Sequence, residues 1–225
     1  MIYRIFSSAL VAGFLSALLI TGLQALITTP LIIQAESFEI SSPADINSTN
    51  EDATEEWMPE DGMERTLYSL LANFGAATGF ALLLLVGCSF DIASTNGTRG
   101  ILWGIAGFSV FTLAPSLGLP PGTPAMLVPD HDAAQIWWFI TVVFSATGLA
   151  TIVFVRSNVL KMLGIVLVTL PHIWGAPPVI DGESLVPANL AIAFSTASIV
   201  LSAIFWIVIG FLSGLLFERS ESKMT

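Results

Sequence analysis

Long apolar runs separated by short polar interruptions dominate the chain, at about Ile5–Ile27, Thr66–Phe90, Gly100–Leu117, Ala133–Val155, Val159–Trp174 and Pro187–Phe217. Several reach the length of about 20 apolar residues that a helix needs to cross a hydrocarbon core ~30 Å thick, where every backbone group must find its partner within the segment. The pattern predicts an all-α, polytopic transmembrane helical bundle of about six spans, forming a single integral-membrane domain over residues 1–225. The count falls to five if the short 159–174 segment, broken at Pro171, does not cross. The first run continues through Thr28, Thr29 and Pro30 into Leu31-Ile32-Ile33, too long for a signal-peptide core and without a small-residue cleavage site, so it reads as a retained anchor.

The polar interruptions differ in kind. Residues 34–64 form an acidic loop rich in Ser, Thr, Asn, Asp and Glu, with little to bury. Asp91 to Thr98 is a short turn containing Asn96-Gly97, and Leu119 to Pro129 carries four prolines and one glycine, which cannot continue a helix. Trp137-Trp138 opens the fourth run as an aromatic pair of the kind found where helices meet headgroups.

Composition agrees with a bilayer as solvent, since 54% of residues are apolar, 11% are charged and the mean hydropathy is +0.83. The net charge of −10 is local, because ten of the seventeen acids lie between Glu36 and Glu64. It describes one acidic loop and argues against nucleic-acid binding, which needs clustered Lys and Arg. The single cysteine, Cys88, sits in an apolar run and is expected to pack there.

Basic residues near span ends stay in the cytoplasm. With six spans, Arg4, Arg99, Arg156, Lys161, Arg219 and Lys223 fall on one side and Arg65 alone on the other. Both termini are therefore expected to be cytoplasmic, with the acidic loop outside. Small residues four apart, at Ala9, Gly13 and Ala17, Gly75 and Gly79, Gly100 and Gly104, and Gly210 and Gly214, line helical faces for close packing. The third and fifth runs share Gly107 with Gly164, Thr112-Leu113 with Thr169-Leu170, and Pro120-Pro121 with Pro177-Pro178 at a common offset, reading either as diverged copies or as ordinary recurrence of Gly and Pro at span ends.

No phosphate loop, Rossmann glycine pattern, H-E-x-x-H or C-x-x-C is present, so hydrolysis of ATP by this chain and the common metalloenzyme chemistries are not expected. The membrane potential, ~2.3 kcal/mol per charge per 100 mV, could instead draw in a divalent cation. His172, in Leu170-Pro171-His172-Ile173-Trp174-Gly175, stands near the outer end of an apolar run. A neutral imidazole binds borderline divalent metals, whereas the alternative is an interfacial histidine hydrogen-bonded to a neighbouring helix. Glu36 and Glu39 share a helical face if the first helix continues past Pro30, and with an imidazole could offer a mixed N/O site; otherwise they are solvated loop acids. Asp130-His131-Asp132 reads as a cation-attracting cluster or as a polar turn at a helix start.

Five ordered stretches resemble the CbtA family of probable cobalt transporter subunits: Thr29-Pro30-Leu31-Ile32-Ile33-Gln34-Ala35-Glu36, Leu113-Ala114-Pro115-Ser116-Leu117-Gly118-Leu119-Pro120-Pro121, Gln135-Ile136-Trp137-Trp138, Leu170 to Pro177, and Val186-Pro187-Ala188 through Phe205-Trp206. The resemblance implies a multi-pass subunit of the bacterial inner membrane, without a resident cofactor, that takes up Co2+ in a system linked to cobalamin synthesis. It also implies a small single-span companion, CbtB, with a histidine-rich end. On this reading His172, Glu36 and Glu39 are candidate metal ligands, and Pro171, Pro115, Gln34, Asp130, His131 and Asp132 are candidate pathway residues. The alternative is a structural or assembly subunit whose partner carries the transport.

Overall fold

The computed structural model describes residues 2–40, 59–89, 96–179 and 184–222. Six helical segments succeed one another: α1 (Ile2–Ile40), α2 (Met63–Ser89), α3 (Gly97–Phe108), α4 (His131–Phe154), α5 (Asn158–Trp174) and α6 (Ala188–Ser222). α3 continues through a π-helical turn (Ser109–Leu113) into a last α turn (Ala114–Ser116). Pro115 accounts for the widening: it has no N–H to offer the Phe111 carbonyl, its ring would clash there, and the Ala114 N–H reaches back five residues to the Ser109 carbonyl instead. Among the described residues there is no strand, only one antiparallel bridge between Pro129 and Val179.

The most extensively packed helix pairs run antiparallel. Along α1 and α2, Gly13 faces Thr78, Thr21 and Gln24 face Asn73, and Glu36 faces Arg65, so numbers rise on one helix as they fall on the other. α3 against α6 pairs Gly97 with Phe211 and Gly107 with Trp206, and α4 against α5 pairs Gly148 with Gly164 and Trp137 with His172. α6 runs antiparallel to α1, with Arg4 5.2 Å from the Phe217 ring at one end and Ala35 in a cluster with Val186 and Leu190 at the other. Both ends of the described chain therefore reach the same end of the bundle. The short run 159–174 is a full helix; at ~1.5 Å per residue its seventeen residues span about 26 Å, slightly less than the hydrocarbon core. Among the described residues four helices, α1, α2, α4 and α6, are each long and apolar enough to cross a membrane by themselves.

On α1 the buried face is built of small residues while the exposed face is large and apolar, the reverse of a helix in a soluble bundle. Ser8, Ala9, Ala12, Ser16 and Ala17 are buried on α1, whereas Phe6, Val11, Phe14, Leu18 and Leu19 are exposed. Lipid tails are as apolar as leucine, so helices gain by close approach of small residues. Of the expected small-residue faces, Ala9-Gly13-Ala17 packs on α2, and Gly100 and Gly104 meet Gly210 and Gly214 backbone to backbone. The Gly75/Gly79 face does not pack: a Cβ at either position would meet nothing within 4 Å. Phe80, Phe111, Phe205 and Trp206 form an aromatic cluster in the centre of the bundle, with Phe111 stacked on Trp206 at 5.6 Å and the Trp206 Nε1–H donating to Thr112 Oγ1 at 3.1 Å.

Much of the acidic loop lies outside the described residues, but its borders are helical. α1 runs through Pro30 to Ile40 and α2 starts at Met63, so the polar segment between them is shorter than 34–64.

Candidate metal-access site at the outer end of the bundle

α5 carries His172 one residue after Pro171, in its last turn. Pro171 withdraws a donor from the Leu167 carbonyl, and the helix closes at Gly175, where φ of +91° suits only glycine at low cost. The imidazole is half-buried, and its Nε2 is enclosed with no hydrogen-bond partner among the described residues. Its ring lies edge-on to Trp137 of α4, 6.0 Å between centroids at 71°. The Trp137 Nε1 is likewise buried and without a partner among the described residues. A buried polar nitrogen left unmade costs on the order of 1–3 kcal/mol, and the hydroxyls of Ser16, Thr78, Thr123, Ser145 and Ser213 are buried without a partner among the described residues as well. Pro171 itself is fully buried.

The two breaks Gly118-Leu119-Pro120-Pro121, after α3, and Gly175-Ala176-Pro177-Pro178, after α5, meet at this end. A Cβ on Gly118 would overlap the Trp137 ring and lie 3.0 Å from the Ala176 Cβ, so the break after α3 rests on the break after α5. The Pro129–Val179 bridge ties the following loops together, and the Ser195 hydroxyl donates to the Pro121 carbonyl at 2.5 Å. Thus the breaks that stop α3 and α5 pack together as a shelf, which adjoins His172 through Gly118 and Trp137. Trp137 does not anchor to headgroups as expected. It is 7% exposed and turned inward on Gly118 and His172, while Trp138 is the exposed member of the pair.

The remaining candidates divide. Glu36 and Glu39 both lie on α1, three residues apart on one helical face by register; the Glu39 side chain is outside the described residues. Glu36 is engaged, its Oε1 accepting from Arg65 Nη2 at 2.8 Å while Arg65 Nε reaches Asp61 at 3.2 Å. α1 packs on α2 and α6, and α5 packs on α4, so Glu36 and His172 belong to different helix pairs. Gln34 is exposed, with its backbone carbonyl accepting from the Ser37 hydroxyl. Pro115 is buried in the last turn of α3. Asp130 caps α4, its Oδ1 accepting from the Ala133 N–H at 3.0 Å, which is the polar-turn alternative. Exposed His131 contacts Gln135 at 2.7 Å, and Asp132 is exposed in the first turn. Among the described residues no three His, Cys, Asp or Glu side chains form a group that could hold a metal ion. This end of the bundle therefore carries His172 on α5 and the acids Glu36, Asp130 and Asp132 on other elements, not gathered into one ligand set among the described residues.

Sequence reasoning passed over the nitrogen of Trp137 and the carboxamides Gln24 and Asn73. Asn73 Nδ2 donates to Thr21 Oγ1 at 2.9 Å and to Gln24 Oε1 at 2.6 Å. The signal was present, since Asn73 and Gln24 each stand inside an apolar run, where polar side chains are rare.

No curated protein and no solved structure shows significant similarity to the chain. The model of the family described as a probable cobalt transporter subunit (CbtA) matches residues 2–218, nearly the whole length, from α1 to near the end of α6. This multi-helix membrane protein belongs to the CbtA family of probable cobalt transporter subunits.

Proposed function

We propose that this chain is the permease subunit of a cobalt uptake system in a bacterial inner membrane, serving cobalamin synthesis, and that Co2+ is its cargo. The observation that carries the reading is the enclosed Nε2 of His172 at the outer end of the bundle, in a chain of this family. A neutral imidazole nitrogen with no other bond is the donor a borderline divalent ion prefers. Glu36, Glu39, Asp130 and Asp132 supply negative charge on the same side, raising the local concentration of cation. Inward movement of a double charge through 100 mV releases roughly 4–5 kcal/mol, enough to drive uptake without nucleotide hydrolysis. A small single-span companion with a histidine-rich end, CbtB, would deliver the ion. The assembly reading, in which the partner carries the transport, draws support from the lack of a three-ligand group among the described residues.

Radiolabelled cobalt uptake separates the two. Cells with both subunits should accumulate cobalt, cells with this chain alone should retain measurable uptake, and an uncoupler that collapses the potential should abolish both. Uptake by the companion alone, unchanged by adding this chain, overturns the permease reading.

Orientation is tested apart from transport. Arg4, Arg99, Arg156, Lys161 and Arg219 lie at the end of the bundle that holds both termini, so this end is assigned to the cytoplasm. Reporter fusions at Asn96, Asn158 and Ser222 should read as cytoplasmic and a fusion at Asn50 as external. A C-terminal fusion on the outside would reduce the spans to an odd number.

A further inference from the structure

α1, α2 and α6 enclose a cleft of about 490 Å³, and its lining differs from that of the other two large clefts. Seven of its fifteen lining residues carry a hydroxyl or carboxamide, among them Gln24, Thr28, Ser69, Asn73, Ser198 and Ser202. The cleft beside Trp103 and Phe154 has one such residue, Ser109, in sixteen. The polar cleft lies deep. At ~1.5 Å per residue Asn73 stands about 12 Å, and Gln24 about 18 Å, along its helix from the Arg65–Glu36 pair, within the apolar runs. From Ile32, Ser69 and Phe194 at its outer end it extends to Phe80 and Phe205 at its inner end, where the aromatic cluster closes it.

We propose that this cleft is the water-filled outer half of the permeation path, through which a hydrated divalent cation reaches the aromatic floor. Four features converge on that use. Hydrocarbon would leave the polar lining unpaired at on the order of 1–3 kcal/mol per group, whereas water satisfies it. Asn73 spends both amide hydrogens on Thr21 and Gln24, yet each carboxamide has further hydrogen-bonding capacity facing the same space. Pro30 lies one residue from the lining residue Thr29, and it takes a donor from the Leu26 carbonyl, which leaves that backbone acceptor open within a continuous helix. Finally, with about 30 Å³ per water, a cation with six waters occupies roughly 180 Å³ and fits with room for further solvent.

The lining holds no Asp, Glu, His or Cys, so the ion keeps its inner hydration shell and meets the protein through its waters. Weak, uncharged contact suits passage, because an ion held tightly does not leave. The identity of the ion rests on the transport reading above; the aqueous character of the cleft does not.

The test is cysteine accessibility in the full chain, with Cys88→Ala as background and single replacements Ser198→Cys and Ser202→Cys. Both are near-isosteric and leave the Asn73 network untouched. Val200→Cys, at the same depth on α6 and 52% exposed to the lipid side, is the control. A charged, membrane-impermeant thiol reagent applied outside should label positions 198 and 202 at least tenfold faster than position 200, and millimolar cobalt(II) chloride should slow that labelling severalfold. Labelling of 198 and 202 no faster than of 200 overturns the aqueous path; if wild-type uptake stands, the transport reading survives. Fast labelling that cobalt does not slow overturns the divalent cation as occupant. Absence of cobalt uptake by the wild-type system overturns the transport reading, and with it the named ion, whatever the labelling shows.

Discussion

His172→Ala is expected to lower cobalt uptake by about tenfold or more while membrane abundance stays near wild type. Loss of a residue that merely supports a metal ligand already costs on the order of 10–100-fold in affinity, and a direct ligand should cost no less. The structural cost should be small, because Nε2 makes no hydrogen bond to lose among the described residues and the ring meets Trp137 edge-on at 6.0 Å. His172→Gln sharpens the comparison. Glutamine keeps hydrogen-bonding capacity and much of the volume but ligates cobalt poorly. A structural histidine would be largely rescued by it; a ligand would not. In the same assay Glu36→Gln preserves an oxygen for Arg65 but removes the charge, so it reports whether the carboxylate serves the cation or the ion pair with Arg65. Normal uptake in both glutamine variants, at matched protein level, would sink the proposed outer site.

The second large effect is on the fold. Gly104→Val and Gly210→Val should abolish a stable protein in detergent, and Gly104→Ala should lower its stability by about 1–3 kcal/mol or more. A Cβ at Gly104 would overlap the Trp206 carbonyl oxygen, and one at Gly210 the Gly100 carbonyl oxygen. The obstacle in each case is backbone, which cannot swing aside as a side chain can, so α3 and α6 must separate along their length. With them would go the stack of Phe111 on Trp206 and the Thr112 hydrogen bond that hold the π-helical turn. Gly75→Ala and Gly79→Ala form the internal control. Both positions open onto free space, and replacing glycine by alanine in a helix gains roughly 0.8–1 kcal/mol of propensity. Size-exclusion profiles and melting temperatures in detergent should therefore move in opposite directions for the two pairs. Equal tolerance at 104 and 75 would contradict the close α3–α6 contact.

The apolar runs alone determined that this is a helical membrane protein, because a backbone in hydrocarbon must close its hydrogen bonds within each segment, and length then counts the segments. Helix ends near Met63, Ser116, Trp174 and Ala188 were legible for the same reason: acids, prolines and glycines mark where the chain leaves the apolar phase. Partner choice was not legible. Gly75/Gly79 and Gly100/Gly104 look alike in sequence, yet one pair faces open space and the other the backbone of α6, since a small-residue face says only that a close approach is allowed. The extension of α1 to Ile40 was undecided by sequence, for Pro30 can end a helix or be carried through one, and here the helix continues past it, with the Thr28 hydroxyl on the Gln24 carbonyl just before the proline. Tertiary structure also turned Trp137 inward, joined Glu36 to Arg65 across 29 residues, and gathered Gln24, Asn73 and Ser202 from three helices around one cleft. Each of these depends on which helical faces meet, and that is fixed by side-chain contacts between segments far apart in the chain rather than by the hydropathy of any one of them.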